Sequence, residues 1–337
     1  MSQRQPSSAY PWLLADIGGT NARFGWVADA RSGVQQVHTL AVVEHASLAE
    51  AAQAYLAMRA SEIGTAGAGA GATAPRRAAF AVATPLTGDV VAFTNSPWSF
   101  SRQAVSQALG LEALLVLNDF EALAMSLPRL VPAQLRSGTP LRLPPSGMLA
   151  VIGPGTGLGV GAVVQTAQGW VAVPGEGGHA TLASADDFES AVLAQVRRSF
   201  DHVSAERLLS GIGLPVLHQA VCAVASLASA ADNTQDIVEF GLADSDPACS
   251  QTLDLFCALL GGFAGSVALI LGARGGVYIG GGIVPRLGDR FFSSSFRARF
   301  EAKGRFRDYL AAIPTPLITD TLAALTGTAL ALEQSGA

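Results

Sequence analysis

Short apolar runs and longer helical patterns alternate along the chain. The apolar runs, several of which end at glycines, predict strands at 12–15, 24–27, 78–82, 114–117, 148–152, 160–164 and 277–279. Apolar residues at helical spacing predict helices over 47–63, 120–126, 186–200 and 252–272. Strands that alternate with helices are typical of an α/β fold.

Two stretches interrupt this alternation. Residues 128–145 contain five prolines, which predicts a loop-rich domain boundary there. The Gly/Ala tract at 64–74 predicts a surface loop or linker.

The segment 255–273 carries no charge and is nearly long enough to cross a membrane. It is rich in glycine, and neither an aromatic belt nor a Lys/Arg cluster flanks it. We therefore expect a buried core helix and no membrane association.

Composition excludes several classes of protein. Half of the 337 residues are apolar and 14% are charged, so a large core is available. The net charge of −5, without any basic cluster, argues against binding to nucleic acid. The scattered Cys222, Cys249 and Cys257 predict neither a disulfide framework nor a zinc site. Together with the polar start of the chain, which is unlike a signal peptide, they predict a cytoplasmic protein.

An internal repeat links two glycine-rich turns. Ile17-Gly18-Gly19-Thr20 with Gly25 matches Ile152-Gly153-Pro154-Gly155-Thr156 with Gly161, apart from the inserted proline. Both copies lie between apolar runs, which predicts two strand–turn–strand units whose turns face phosphate. Coincidence in a glycine-rich chain is the alternative.

Glycines at such turns let backbone N–H groups point at phosphate oxygens. No Lys follows at Walker A spacing. The sequence from Gly157 to Ala162 nearly fits a dinucleotide fingerprint, but a predicted β-hairpin stands where a helix is needed. Asp16, just before the first turn, could hold hydrated Mg²⁺ or could simply form the turn.

Three further motifs carry candidate chemistry. Asn118-Asp119 follows an apolar strand, where one residue could cap a helix and a carboxylate could act as a general base. In Pro174-Gly175-Glu176-Gly177-Gly178-His179, the Glu and His could bind the hydroxyls of a polyol, or the loop could be a solvated turn.

The segment 202–211 predicts a helix start or a loop. His202 and Glu206 are four residues apart and would share a face of such a helix, and their spacing alone favours a solvated pair. The glycines 280–282 could either accommodate an adenine-ribose or begin a tight helix.

Taken in order, these segments resemble the bacterial glucokinase family, the non-ROK branch of the sugar-kinase and actin-like superfamily. The matching segments are 15–23, 94–95 with Trp98, 117–120, 155–160, 174–179, 202–211, 280–286 and 304–306. Each motif alone is weak to moderate, but the ordered set is highly specific and extends from about residue 14 to about residue 318.

The resemblance implies ATP-dependent phosphorylation of glucose at its 6-hydroxyl. It also implies two ribonuclease-H-like domains around a central cleft, usually in a homodimer. The expected domains are 1–129 with 317–337, and 130–316, with the last helix returning to the N-terminal domain.

Carried over by motif, Asp119 is the implied catalytic base. The implied sugar-binding residues are Asn95, Asn118, Asp119, Glu176, His179 and Glu206. The implied nucleotide-binding residues are Ala15, Asp16, Ile17, Gly18, Gly19, Thr20, Asn21, Arg23, Gly155, Thr156, Gly157, Gly281 and Gly282. Asp16 is also the implied ligand of Mg²⁺, through water. Glu206 thus has a role that spacing alone does not predict.

Two features depart from the family pattern. The tract at 64–74 resembles a surface insertion, and 320–327 lacks the proline often found after the corresponding Asp. A role of this last loop near the nucleotide is therefore in doubt.

Other functions compete with this interpretation. A kinase of mannose, fructose or an N-acetyl sugar is the nearest alternative, and a non-catalytic sugar-sensing actin-like module is the alternative from another class. A ROK-type kinase or repressor fits less well, because its zinc-binding cysteine pattern and leading helix-turn-helix are missing.

Overall fold

The computed structural model describes residues 10–65, 74–86, 88–93, 96–141 and 143–335. It divides into two compact units. Unit 1 comprises Met1–Arg129, Thr166–Ala172 and Thr321–Ala337, and unit 2 comprises Leu130–Gln165 and Val173–Asp320. Most of the predicted loop at 64–74 lies outside the described residues.

The N-terminal part of the chain forms a mixed sheet with three helices. Its elements are β1 (Trp12–Ile17), β2 (Asn21–Val27), β3 (Gln35–Ala41), α1 (Leu48–Thr65), β4 (Arg77–Val82), β5 (Val90–Ala92), β6 (Ser99–Ser101), α2 (Arg102–Ala108), β7 (Ala113–Asn118) and α3 (Asp119–Ser126). The strand order is β3-β2-β1-β4-β7, and β5 pairs separately with β6.

The parallel strands of this first sheet bring polar residues to one edge. Strands β1, β4 and β7 run parallel, with Ile17 opposite Val82 and Val82 opposite Asn118. The carboxyl ends of these strands therefore lie side by side. Asp16 and Asp119 occupy this edge because each is within a residue of its strand's end.

The later part of the chain builds a second sheet and the remaining helices. Its elements are β8 (Leu135–Arg136), β9 (Met148–Pro154), β10 (Leu158–Thr166), β11 (Gly169–Val173), α4 (Asp187–Val196), α5 (Leu214–Ala225), α6 (Thr234–Leu242), α7 (Pro247–Leu271), β12 (Gly276–Ile279), α8 (Val284–Leu287), α9 (Asp289–Ser293), α10 (Phe296–Glu301), α11 (Arg307–Ala311), β13 (Leu317–Ile318) and α12 (Ala323–Gln334). The strand order is β11-β10-β9-β12-β13-β8.

The two sheets repeat one pattern, and the predicted duplication is confirmed. β1 and β9 each begin an antiparallel hairpin, with β2 and β10 respectively. Each also pairs in parallel on its other side, with β4 and β12. The glycine-rich turns thus occupy equivalent positions in the two sheets.

The predicted core helix is also confirmed, as α7. It is the one helix in the described ranges that is long and apolar enough to cross a membrane, but 72% of its apolar window is buried. A Cβ at Gly261 or Gly265 would collide with backbone carbonyls of α10. The small residues of α7 therefore allow α10 to pack closely against it, as expected for the core of unit 2.

Helix α12 belongs to unit 1 although it follows unit 2 in the chain. It packs against α3, β1 and β4. At Gly327 the two helices approach so closely that a Cβ would collide with the carbonyl oxygen of Ala122. Trp12, Leu14 and Leu325 complete a small core beneath α12.

Candidate active site

Asp16 lies in β1 next to the first glycine-rich turn. Its carboxylate accepts a long hydrogen bond from Arg23, 3.4 Å away on the paired strand. Burial raises the pKa of the Asp16 carboxyl, and the Arg23 guanidinium lowers it in part. Asp16 is thus a partly shielded carboxylate beside a turn, held by its neighbour on β2.

The turn after β1 leaves two backbone donors free. The N–H of Gly18 donates across the turn to the carbonyl oxygen of Asn21, at 2.9 Å. Within the described ranges, no acceptor is found for the N–H groups of Gly19 and Thr20. Thr20 is exposed, as a residue that meets a ligand must be.

Ala15 and Ile17, in contrast, are fully buried in β1. They contribute side chains to the core under the turn and present none to a ligand. Asn21 and Arg23 begin β2, directly after the turn, and Asn21 is exposed.

Asn118 is the N-cap of α3, one of the two possibilities that its sequence left open. Its side-chain oxygen accepts from the N–H of Phe120 at 2.9 Å, and the Glu121 carboxylate accepts from the N–H of Asn118 at 2.9 Å. This capping box satisfies two donors that would otherwise be unpaired. The helix begins at Asp119 because Asn118 ends the strand.

Asp119 is the first residue of α3 and carries a strongly perturbed carboxyl group. Burial, followed by the negative charge of Asp16, raises its pKa to about 6. The N–H of Phe120, 3.0 Å from its Oδ1, opposes the shift. A carboxylate with such a pKa is still ionised at neutral pH and is a stronger proton acceptor than an ordinary aspartate, as general-base chemistry requires.

The second glycine-rich turn is shorter than predicted. Strand β9 continues through Pro154, so the expected turn from Gly153 is wrong in length and only 155–157 forms it. The N–H of Gly155 donates across this turn to the carbonyl oxygen of Gly157, at 2.8 Å. Over the part of the chain that the structure describes, the N–H groups of Thr156 and Gly157 have no acceptor. Both turns therefore offer two adjacent free N–H groups, an arrangement suited to phosphate oxygens.

Glu206 connects this second turn to the glycine-flanked loop. Its Oε2 accepts from the N–H of Leu158 at 2.8 Å, and its Oε1 lies 3.9 Å from Nε2 of His179. The backbone N–H of Glu206 donates to the carbonyl oxygen of Gly178. The side chain is only 26% exposed.

The prediction of a solvated His202–Glu206 pair on a helix is therefore wrong. Residues 202–211 form turns and no helix. The ring of His202 bonds instead to the hydroxyl of Thr181, at 3.0 Å.

The loop 174–179 has a fixed backbone and free polar side chains. A Cβ at Gly178 would collide with the carbonyl oxygen of Leu158, so this loop packs against the start of β10. It is therefore not the freely solvated turn that was its alternative. Glu176 is exposed, and the side chain of His179 is 61% exposed, so both are accessible to a ligand.

The glycines 280–282 lie beside the same turn. Gly281 has φ +77°, and a Cβ there would collide with the carbonyl group of Pro154. The N–H of Ile283 donates to that carbonyl, at 3.1 Å. The short helix α8 follows directly after these glycines. The segment therefore begins a short helix and also leaves a glycine surface open. Gly281 and Gly282 thus border the turn at 155–157.

Unit 1 thus brings together Asp16, Gly18–Thr20, Asn118 and Asp119, and unit 2 brings together Gly155–Gly157, Glu176, His179, Glu206, Gly281 and Gly282. Asn95 lies outside the described residues. Sequence reasoning missed the N–H of Leu158, because nothing in the local pattern indicates its pairing with a residue 48 positions away.

The chemistry of these groups fits Mg²⁺. The described residues contain no cluster of three or more His, Cys, Asp or Glu side chains that could hold a metal ion. Mg²⁺ needs only one or two protein carboxylates, because water and substrate phosphates complete its shell. Asp16, at the carboxyl edge of the first sheet, provides such a carboxylate.

Glycine-rich turns with free N–H groups, and an aspartate whose pKa is raised by burial, are compatible with a phosphoryl-transfer enzyme. The sequence profile described as Glucokinase matches residues 13–335. A glucokinase from Aromatoleum aromaticum is 47% identical, over 98% of this chain and 96% of its own length. The chain belongs to the glucokinase family, and it is an enzyme that phosphorylates glucose.

Solved structures agree on the fold. The crystal structure of a glucokinase from an Antarctic psychrotroph has a TM-score of 0.86 and 35% identity, and the match covers 96% of this chain and 99% of that one. A ROK family glucokinase from Streptomyces griseus, solved in complex with glucose and AMPPNP, has a TM-score of 0.61 and 20% identity. The match covers 97% of this chain and 100% of that one, and at this identity it shows a similar fold only. The predicted family and activity are thus confirmed, and the sugar sensor is excluded.

Proposed function

We propose that this enzyme transfers the γ-phosphoryl group of ATP to the 6-hydroxyl of glucose, with Asp119 as the general base. The observation that carries the proposal is the position of Asp119 directly after β7, at the sheet edge that Asp16 and the first glycine-rich turn also occupy; burial there raises the pKa of Asp119 to about 6. A base with this pKa is ionised at neutral pH, and it accepts the proton of the attacking hydroxyl as the new bond forms. In phosphoryl transfer the other contributions are positioning and charge stabilisation.

The sugar is held by hydroxyl-binding side chains. Glu176 and His179 are exposed on a backbone fixed against β10, which supports their assignment to sugar hydroxyls. Glu206 accepts from Leu158 with one oxygen and can accept from a hydroxyl with the other. Asn118 and Asn95 are assigned by the resemblance. Fixed acceptors of this kind discriminate strongly between hexoses, since a missing hydroxyl leaves a polar group unpaired.

The triphosphate is bound by the two turns. The free N–H groups of Gly19, Thr20, Thr156 and Gly157 support this assignment. Gly281 and Gly282 border the second turn and provide bare backbone for the adenosine. Asp16 would hold Mg²⁺ through water, and the ion would neutralise charge on the phosphates. The assignment of ATP is supported by the Streptomyces griseus structure, because its ligand AMPPNP is an analogue of ATP.

Three further statements complete the proposal. The common strand pattern of the two sheets supports the two ribonuclease-H-like domains that the resemblance implies. Their extents are those of units 1 and 2, and the boundary expected at 317 moves to 321 because β13 (Leu317–Ile318) pairs with β12 and β8 in the second sheet. The homodimer follows from the same resemblance, and the cytoplasmic location follows from the scattered cysteines and the polar start of the chain. Sedimentation of the purified chain tests the homodimer.

A panel of hexoses tests the reaction. ADP release, coupled to an indicator enzyme, is expected with glucose and ATP, with mannose, fructose and N-acetylglucosamine far slower. The variant Asp119→Ala is expected to lose turnover by about 10²–10⁴-fold, while the affinity for glucose stays within tenfold. Unchanged turnover in Asp119→Ala would remove Asp119 from the mechanism. Asp308→Ala, an exposed acid on α11, serves as the matched control.

A further inference from the structure

Unit 2 contains an apolar cavity that the proposed reaction does not use. Its volume is about 370 Å³, within the size range of small-molecule sites. One wall is a face of α7, and the opposite wall is the segment 180–185 together with Val160 of β10. The apolar side chains of the lining are Leu182, Leu259, Phe263, Val267, Ile270 and Leu271. Ile270 is 81% exposed at the rim.

Lys303 provides the charge at this cavity, and it is the only lysine in the sequence. Its ammonium donates to the carbonyl oxygen of Gly262 at 2.8 Å and to the hydroxyl of Ser266 at 2.9 Å. Across the described ranges, no carboxylate forms an ion pair with it. An ammonium has three donors, so one remains for a ligand.

The second cation of the cavity is already neutralised. Arg299 pairs with Asp186 at 3.2 Å and with Glu189 at 2.6 Å. Burial and the charge of Arg299 lower the pKa of Lys303, which is the expected response of an ammonium that lacks a compensating anion. A negatively charged ligand would provide that compensation.

We propose that this cavity binds an aliphatic monocarboxylate, with its tail along α7 and its carboxylate on Lys303. A concave, largely apolar site with a few convergent polar groups is typical of small-molecule binding. The single uncompensated cation favours a single anionic group, and the apolar lining accommodates a hydrocarbon tail.

Binding there is expected to change the affinity for glucose, an effect that rests on the proposed function. The segment 180–185 directly follows the loop that carries Glu176 and His179. The carbonyl oxygen of Ala180 accepts from the N–H of Ala205, next to Glu206. A ligand against this segment therefore contacts the backbone that positions three proposed sugar-binding residues.

Gly262 provides a direct way to fill the cavity. It lines the cavity, and a Cβ built on it meets nothing within 4 Å. Gly262→Leu therefore adds an apolar side chain at the cavity lining from a position where its Cβ has room, and leucine is a better helix former than glycine. Gly262→Ala is the matched control, because it adds only one methyl group.

Calorimetric titration of the full chain with octanoate, below micelle formation, tests the proposal. We expect saturable binding that Gly262→Leu abolishes and that Gly262→Ala and Lys303→Arg largely keep. Lys303→Met should weaken octanoate binding about tenfold or more, as for a charge-assisted hydrogen bond. The same substitution should leave the weaker binding of octanol within threefold. With octanoate bound, the KM for glucose should shift at least threefold while kcat changes little.

Two outcomes would overturn the proposal. The first is the absence of saturable octanoate binding to an active enzyme, or binding that neither Gly262→Leu nor Lys303→Met alters. The second is a change in molecular mass in Gly262→Leu, measured by light scattering, since it would show that a second copy of the chain covers this face. Neither outcome depends on Asp119, whose own variant tests the reaction separately.

Discussion

The carboxylate of Glu206 joins the turn at 155–157 to the loop that carries His179. One oxygen accepts from the N–H of Leu158 at 2.8 Å, and the other lies 3.9 Å from the ring of His179. A single side chain therefore stabilises the proposed nucleotide turn and contributes to the proposed sugar site. Removal of the Glu206 side chain should therefore weaken the binding of both ATP and glucose.

Substitutions of Glu206 separate these two roles. Glu206→Ala loses both contacts, so the KM values for ATP and for glucose should each rise at least tenfold. Glu206→Gln keeps an acceptor for Leu158 and loses the charge, so the KM for glucose should rise while the KM for ATP stays within threefold. Steady-state kinetics with each substrate varied in turn provides the measurement. A rise confined to glucose in Glu206→Ala would contradict the joint role.

A methyl group at Gly157 should break the contact between Glu206 and Leu158 without replacing Glu206 itself. A Cβ at this position would lie 2.5 Å from Oε2 of Glu206 and would push the carboxylate away from Leu158. We expect Gly157→Ala to raise the KM for ATP at least fivefold. Gly155→Ala is the control, since its nearest contact would be at an ordinary 4.0 Å. Equal effects of both substitutions would indicate a general response of the turn.

The pH dependence of glucose phosphorylation should reflect Asp119. Its pKa of about 6 places the acid limb of kcat/KM for glucose near that pH, because the protonated carboxyl cannot act as a base. Asp16→Asn removes the like charge that contributes to this pKa, so the limb should move to lower pH. Burial is the larger cause, so part of the shift should remain. The control Asp308→Asn should leave the pH profile of kcat/KM unchanged. If Asp16→Asn does not move the acid limb either, the charge of Asp16 does not raise the pKa of Asp119.

Asp119 should also reduce the stability of the folded enzyme. Its pKa is higher in the folded state than the ordinary value of 3.8, so the folded state binds more protons between pH 4 and 6. The free energy of unfolding therefore falls as pH rises through this window. Asp119→Asn removes the effect and should stabilise the protein by up to about 3 kcal/mol at pH 8, since the pKa is raised from 3.8 to about 6 and one pKa unit corresponds to about 1.4 kcal/mol.

Denaturant unfolding at pH 8 and at pH 4 provides the test. The difference between Asp119→Asn and the wild type should shrink to well under about 1 kcal/mol at the lower pH, because the folded carboxyl is then protonated and the unfolded one, with a pKa of 3.8, is only about half ionised. A stability difference that is the same at both values would show that ionisation of Asp119 is not its source.

The sequence predicts those parts of the fold that depend on local pattern. The two hairpins follow from apolar runs that flank glycine turns, and α7 follows from a long uncharged helical pattern. The turns at 202–211 could not be predicted, because their shape depends on distant contacts. A Cβ at Gly213 would collide with the backbone of Arg207, so the backbone folds tightly there. The pairing of Glu206 with Leu158 is likewise set by the tertiary fold.

The position of α12 determines the order in which this protein can mature during synthesis. All of unit 2 leaves the ribosome before α12 does, yet α12 covers β1 and β4 and contacts α3, which begins with Asp119. Until α12 is synthesised, the face of the first sheet that it covers is therefore open to solvent. The helix that begins with the proposed catalytic base is thus packed in place only after unit 2 has been synthesised.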